Sequence, residues 1–265
     1  MHAFRGMVMD KVRDYLSSCV IADGKVLDGY SKIYFKTNED LVNSYRLIDF
    51  KDKEVFSVLG SSDQVFMARS LGAKKVDSFD KNPLAIYYYY LRCWTIKYRN
   101  RLYPEAILDN DYKWLKSLLS MVKPQSKEEE DALHFWIGHL NRKTNLEYLF
   151  FDDSIVGNVT IPNDDKSIAS WKMDFQVIDL FKENEFDSSY DIVILSNIIE
   201  WAKGSRRKIT CVRDNLDKLL KQGGIALCSK LIRRYPEMVY EEREIFDSSF
   251  DFFDYDDRGY VYQKK

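Results

Sequence analysis

Lys53-Glu54-Val55-Phe56-Ser57-Val58-Leu59-Gly60-Ser61-Ser62-Asp63-Gln64 decides the fold: an apolar, β-branched run halts abruptly at a loop of small polar residues. Such a run reads as a buried strand, and the loop as a tight turn. Val65 to Leu71 then has helical spacing and stops at Gly72, a residue suited to a left-handed C-terminal cap. Lys75 to Phe79 reads as a second strand ending in Asp80, and Asn82-Pro83 opens a long aromatic helix through about Tyr98. Proline is favourable there because its missing N–H would have had no partner inside the helix.

The same alternation continues downstream. Arg101 to Asp153 reads as a helical insertion, with segments at Asp111 to Met121, Lys127 to Leu140 and Thr144 to Phe151. Its aromatic residues Trp114, Phe135, Trp136, Tyr148 and Phe150 fit core packing on amphipathic helices. Strands are expected at Phe175 to Asp179, Tyr190 to Asn197 and Ile225 to Cys228, the last reached through a helix from Arg206 to Lys221 and Gly223-Gly224. The tail from Phe250 to Gln263 alternates enough to add one or two antiparallel edge strands. Upstream, residues 1–50 read as an N-terminal extension lying across the entrance of a cleft. It holds a helix from Met9 to Ser17, a turn at Ala22 to Lys25 and a polar segment from Lys36 to Asp40.

Strands alternating with helices imply parallel pairing with crossover helices on both faces. The expected architecture is therefore α/β, a Rossmann-like doubly wound and mostly parallel sheet with a helical insertion and an antiparallel C-terminal edge. Residues 51–265 form the main domain, interrupted at about 101–153.

Composition narrows the function. Forty basic and 42 acidic residues nearly cancel, which disfavours nucleic acid as a partner. Cys19, Cys93, Cys211 and Cys228 show no close metal-ligand spacing, and only three histidines are present, so neither a metal site nor a disulfide framework is expected. Free buried thiols and the absence of a long apolar run suit a cytoplasmic protein without a transmembrane segment.

Ligands of doubly wound sheets bind at the carboxyl ends of the strands near the topological switch point. Here those ends carry Gly60 to Gln64, Asp80, Asp179 and Ser196-Asn197. A loop of small residues allows close backbone approach, and the helix behind it offers free N–H groups. Asp80, at the end of the next strand, is spaced like the carboxylate that takes ribose hydroxyls in nucleotide-binding folds. The plainer alternatives are that Gly60 makes a simple turn and that Asp80 caps the helix after Pro83.

Val58 to Gln64, Gly72 to Pro83 and Tyr190 to Asn197 together resemble the class I S-adenosylmethionine-dependent methyltransferase superfamily. Within it, the Ser61-Ser62-Asp63-Gln64 loop and the Asp80-Lys81-Asn82-Pro83 turn are most similar to an uncharacterised bacterial group related to the betaine-lipid 3-amino-3-carboxypropyltransferases. The resemblance implies that S-adenosylmethionine is the cofactor. Gly60, Ser61, Ser62 and Asp63 would lie against its methionine portion, Asp80 with Lys81 and Asn82 would hold the adenosine, Asp179 would lie near the adenine amino group, and Ser196 and Asn197 would border the reaction centre. The superfamily loop commonly carries two or three glycines, whereas this one has Gly60 alone. No Asn-Pro-Pro-Tyr type signature follows the fourth strand, where Ser196-Asn197-Ile198-Ile199-Glu200-Trp201 stands, so methylation of nucleic-acid bases is disfavoured.

Methyl transfer to an unidentified acceptor is the expected activity. Transfer of the 3-amino-3-carboxypropyl arm and a non-catalytic nucleotide-binding or regulatory role are the alternatives, and a nicotinamide-dependent oxidoreductase is opposed by the sparse glycines. Catalytic candidates are Asp63, Asn197 and Glu200, with His134 and His139 behind them as bases. The Tyr87-Tyr88-Tyr89-Tyr90 run fits core packing better than an aromatic wall for a cation. The basic cluster Lys203 to Lys208 fits either a solvated helix start or contact with an anionic small molecule or lipid headgroup. The insertion and the extension together are expected to cover the strand ends and select the acceptor.

Overall fold

The computed structural model describes residues 21–22, 25–26, 32–37, 39–142, 146–150, 172–202, 205–229, 245–246, 249–255 and 259–265. The expected helix at Met9 to Ser17 and Cys19 lie outside the described residues. In chain order the elements are β1 (Ile21–Ala22), β2 (Lys25–Val26), α1 (Leu41–Tyr45), β3 (Glu54–Val58), α2 (Asp63–Ser70), β4 (Lys75–Asp80), α3 (Leu84–Arg99), α4 (Tyr112–Leu119), α5 (Lys127–Arg142), β5 (Phe175–Val177), β6 (Tyr190–Ser196), α6 (Arg206–Leu219), β7 (Leu220–Ser229), β8 (Phe250–Tyr255) and β9 (Gly259–Lys264).

Seven strands make one sheet in the order β5-β4-β3-β6-β7-β9-β8. Pairing is parallel from β5 through β7, and β9 runs antiparallel to both β7 and β8. This is the Rossmann-like α/β layout with an antiparallel edge expected from the sequence. The chain winds from β3 out to β5, then returns to β6 on the other side of β3. The switch point therefore lies between β3 and β6.

Both faces of a parallel sheet must be buried, and the strands show it by alternation. Val55, Val76, Ile192, Ile194 and Leu227 join a core built with α2, α3, α4 and α5. Their strand neighbours Phe56, Val193, Leu195, Ala226 and Cys228 join a second core with α6. On that second face Phe56 stacks at 4.9 Å on Phe79 and at 4.9 Å on Tyr190, tying β4, β3 and β6 together. Burying a side chain such as Phe56 is worth about 1.5–3 kcal/mol relative to exposure.

The tyrosine run is core. Tyr87, Tyr88 and Tyr89 are buried, with Tyr87 near Phe135 (5.2 Å between rings), Tyr89 stacked on Phe66 (5.5 Å), and Tyr88 Oη donating to the Phe35 carbonyl at 2.7 Å. Trp136 Nε1 reaches the Tyr87 carbonyl at 3.0 Å and fastens α5 to α3.

Two expectations need correction. Of the helix expected at 144–151, the described residues are not α-helical: Leu146–Leu149 is a 3-10 turn and Phe150 bridges Ile33, with the Ile33 N–H taking the Leu149 carbonyl at 2.9 Å. The strand expected from Ile225 begins at Leu220 and includes Gly223-Gly224, since Leu220 already pairs with Tyr190.

Residues upstream of β3 are also core. Ile33, Phe35, Leu41, Tyr45 and Phe50 are buried in the same cluster as α2 and α3. Among the described residues no helix is long and apolar enough to cross a membrane. Cys93, Cys211 and Cys228 are free thiols.

Candidate functional site

The loop from β3 to α2 is bent by left-handed backbone at Gly60 (φ +47°) and Ser62 (φ +72°), and β6 ends on a third such residue, Ser196 (φ +56°). Among the described residues, the other non-glycine residues with positive φ are aspartate or asparagine, types that tolerate this region. A serine held there costs on the order of 1–3 kcal/mol, and such strain collects where function requires it. Both strained serines flank the switch point. A Cβ placed on Gly60 would meet nothing within 4 Å, so the space beside the loop is open. Gly60→Ala is therefore expected to cost only its backbone penalty, about 1–2 kcal/mol, measurable as a shift in denaturation midpoint; a larger loss would mean that the space is filled.

Asp63 anchors the loop from beneath. It is fully buried and ion-paired with the equally buried Arg92, Nη2 to Oδ1 at 2.9 Å. Tyr103 Oη donates to the same oxygen at 2.8 Å, while Ser61 Oγ (2.7 Å) and the Thr37 N–H (2.8 Å) donate to Oδ2. Three hydrogen-bond donors and the guanidinium charge thus converge on one carboxylate. Arg92 in turn donates to the Ser61 carbonyl and, from Nε, to the Leu102 carbonyl at 3.2 Å. Its guanidinium lies 4.7 Å from the Phe66 ring centroid and 4.4 Å from that of Tyr103. Asp63 therefore holds the loop's shape, fully buried and committed to Arg92 and three hydrogen-bond donors.

Asp80, at the end of β4, accepts the Gly60 N–H at 2.9 Å through Oδ2 and the Asn82 N–H at 2.9 Å through Oδ1. It does not cap α3; Asn82 does, its Oδ1 accepting the Leu84 N–H at 3.0 Å. Asn82 Nδ2 also donates to the Lys32 carbonyl at 2.9 Å. Burial pushes the Asp80 carboxyl above its usual range against those backbone donors. Lys81 is exposed. Asp179 follows β5 directly beside Asp80, since the Ile178 N–H takes the Asp80 carbonyl at 3.0 Å; its Oδ1 accepts the Phe181 N–H at 3.1 Å.

A second carboxylate sits where the sequence reading placed only a polar loop. Glu39 is 7% exposed and lies between the ends of β6 and β7 and the start of α2. Ser196 Oγ donates to its Oε1, Gln64 Nε2 to its Oε2 at 3.4 Å, and Ser229 adds a side-chain hydrogen bond. Burial raises the Glu39 carboxyl above its ordinary range, and the neighbouring Asp63 charge adds to this. Tyr45, whose hydroxyl faces the same group, is pushed well above the usual phenol range by burial and then by Glu39 and Asp63.

The linkage has a definite sign. Carboxyls raised by folding hold protons that the unfolded chain has released, so stability falls as pH rises above the ordinary carboxylate range. Substituting Glu39 by Gln removes one such group. The melting temperature of Glu39→Gln minus that of wild type is expected to grow from mildly acidic to neutral pH, and a difference that shrinks instead would contradict the burial of an ionising Glu39.

Asn197, buried at 9%, follows Ser196 at the end of β6. Glu200 belongs to the 3-10 turn Ile198–Ala202, with its side chain outside the described residues. His139 is buried against the Phe135 ring (4.5 Å) and His134 is exposed on α5, which suits scaffold roles. Ser205 caps α6 by accepting the Lys208 N–H at 3.4 Å, leaving Arg206, Arg207 and Lys208 exposed; Lys203 and Gly204 lie outside the described residues. No cluster of three or more histidine, cysteine, aspartate or glutamate side chains among the described residues could hold a metal ion.

The sequence reading missed Glu39, Arg92, Tyr103 and Thr37. Only Arg92 carried a signal, as a lone cation inside the apolar stretch Tyr87 to Trp94, where a buried guanidinium needs a buried partner.

No family model matches the chain, and no curated protein matches it. Solved structures similar to it include the N-methyltransferase NodS from Bradyrhizobium japonicum WM9 in complex with S-adenosyl-L-homocysteine, with 9% identity, a TM-score of 0.41 and coverage of 84% of this chain and 83% of that one. A TehB-like SAM-dependent methyltransferase from Corynebacterium glutamicum has 11% identity, a TM-score of 0.42 and coverage of 84% and 88%. The ribosomal protein L11 methylase from Lactobacillus delbrueckii subsp. bulgaricus has 14% identity, a TM-score of 0.37 and coverage of 85% and 75%. No residue role passes from them to this chain.

Proposed function

We propose that this chain is a cytoplasmic enzyme that binds S-adenosylmethionine at the carboxyl ends of β3 and β4 and transfers its methyl group to an acceptor. The observation that carries the reading is the coupling of Asp80 to Gly60: the carboxylate grips the loop N–H at 2.9 Å, directly beside open space at a topological switch point. A carboxylate offers about four acceptor positions, so Asp80 keeps capacity for a ribose hydroxyl after its backbone donors are counted. The residues present fit such a group. Asp80 with Asn82 and Lys81 would hold the adenosine, Asp179 the adenine edge, and Gly60, Ser61 and Ser62 the amino-acid portion, where the buried Ser62 Oγ has no partner among the described residues.

The cofactor's sulfonium supplies an already activated carbon. The protein's own work is then to bind the acceptor in line and to keep water out. Ser196 and Asn197 border that reaction centre, and Arg206, Arg207 and Lys208, exposed at the start of α6, would meet an anionic acceptor such as a phosphorylated small molecule or lipid headgroup. The resemblance of the Ser61 to Gln64 loop to the aminocarboxypropyl-transferring group supports a second reading, in which the same pocket delivers the other arm of the cofactor.

Calorimetric titration with S-adenosylhomocysteine and methylthioadenosine tests the proposal. Saturable binding at a single site is expected. A preference for S-adenosylhomocysteine favours methyl transfer and a preference for methylthioadenosine favours the second reading, while no binding of either would sink both.

A further inference from the structure

We propose that Glu39, Gln64 and Ser196 form a subsite for a primary ammonium group. Glu39 is a buried carboxylate with no lysine or arginine paired to it among the described residues. Arg92, the one buried lysine or arginine among the described residues, is committed to Asp63. Isolating a carboxylate from water without a counter-charge costs several kcal/mol unless it takes up a proton.

While Glu39 is ionised there is a second deficit. Gln64 is 3% exposed, and its Nε2 faces Thr37 Oγ1 (3.2 Å) and Glu39 Oε2 (3.4 Å). While Glu39 is ionised that environment favours this amide orientation, because reversing it would set the amide oxygen against the carboxylate. Gln64 Oε1 then has no donor. Glu39 thus lacks a counter-charge and its neighbour Gln64 lacks a donor for Oε1, while the buried Tyr45 hydroxyl, also without a partner, bonds to neither. A primary ammonium supplies both, having a unit charge and three N–H groups. A sulfonium or quaternary ammonium would answer the charge and leave the Gln64 carbonyl idle. The left-handed Ser196, at the end of β6, brings its hydroxyl to the carboxylate from the sheet side.

Two groups of this chemistry are candidate occupants. One is the α-ammonium of the cofactor, which rests on the reading above; the other is an amine acceptor. Wild type and Glu39→Gln are titrated with S-adenosylhomocysteine, with methylthioadenosine, which lacks the amino-acid arm, and with n-propylammonium chloride against sodium chloride at equal ionic strength. Without ligand, Glu39→Gln is expected to fold and to melt above wild type, because it removes an uncompensated buried charge at constant size. If the cofactor's ammonium occupies the subsite, the variant loses ten-fold or more in affinity for S-adenosylhomocysteine and keeps that for methylthioadenosine. If an amine acceptor does, both affinities persist, and the saturable amide chemical-shift changes that propylammonium causes in wild type disappear in the variant. Gln64→Met, which deletes the idle carbonyl, should repeat whichever pattern appears. Should wild type bind neither nucleoside, the cofactor reading fails and the propylammonium arm alone decides the subsite. Equal weakening of both nucleosides, no change in any arm, or a variant that melts below wild type would overturn it.

Discussion

Arg92→Met is expected to destabilise the protein by about 3–5 kcal/mol, the usual cost of stranding one partner of a buried ion pair. Both Arg92 and Asp63 are fully buried, so neither charge can turn to water when the other is removed. The substitution also frees the Ser61 carbonyl and removes a cation held 4.4 Å from the centre of the Tyr103 ring. Asp63→Leu should cost a comparable amount, because it strands the guanidinium and orphans the Thr37 N–H and the Tyr103 hydroxyl. The double variant is expected to recover part of the sum, since no unpaired charge remains, with the orphaned donors setting the residual deficit. Equilibrium denaturation of the three variants closes the cycle. An Arg92→Met protein within 1 kcal/mol of wild type, to about the precision of the method, would show that the pair is solvated and that the loop stands without it.

Asp80→Ala should produce the largest effect on binding. Each hydrogen bond to a charged group contributes about 1.5–3 kcal/mol, so losing a carboxylate that both accepts ribose hydroxyls and fastens the Gly60 N–H predicts a loss of affinity on the order of 100-fold. S-adenosylhomocysteine and methylthioadenosine both carry the ribose and should weaken together. This joint loss separates Asp80 from Glu39, whose substitution is expected to weaken S-adenosylhomocysteine alone or neither nucleoside. Unchanged affinity for both nucleosides in a folded Asp80→Ala protein would remove the ribose from this strand end.

The parts of this picture that were readable in advance are those written in short stretches of chain. Glu54 to Asp80 declares strand, turn, helix and strand through apolar runs punctuated by Gly60 and Gly72, and the strand that ends at Ser196 is a run of isoleucine, valine and leucine. Asp80 was legible as a candidate because its meaning depends on where a strand ends. Glu39 was not. It lies in Lys36-Thr37-Asn38-Glu39-Asp40, whose composition belongs to a solvated loop, and it is buried because distant residues, among them Ser196, 157 positions later, return to meet it. Arg92 was half legible, since its helix could be read as buried but its partner could not be named. The turn at Leu146–Leu149 was mistaken for a helix because the pull of Ile33 on the backbone there is a tertiary effect that overrides local preference.

The place of β9 between β7 and β8 bears on how the polypeptide is made. Among the described residues, the outer edge of β7 and the whole of β8 pair with β9 alone, so on the ribosome both wait for residues 259–264 to leave the exit tunnel. Throughout that interval a row of free N–H and carbonyl groups faces whatever nascent chain is nearby, a template for pairing between molecules. A stop codon or stalled translation upstream of Gly259 would thus release a chain with most of its core and an open sheet edge, a species bound for aggregation or proteolysis.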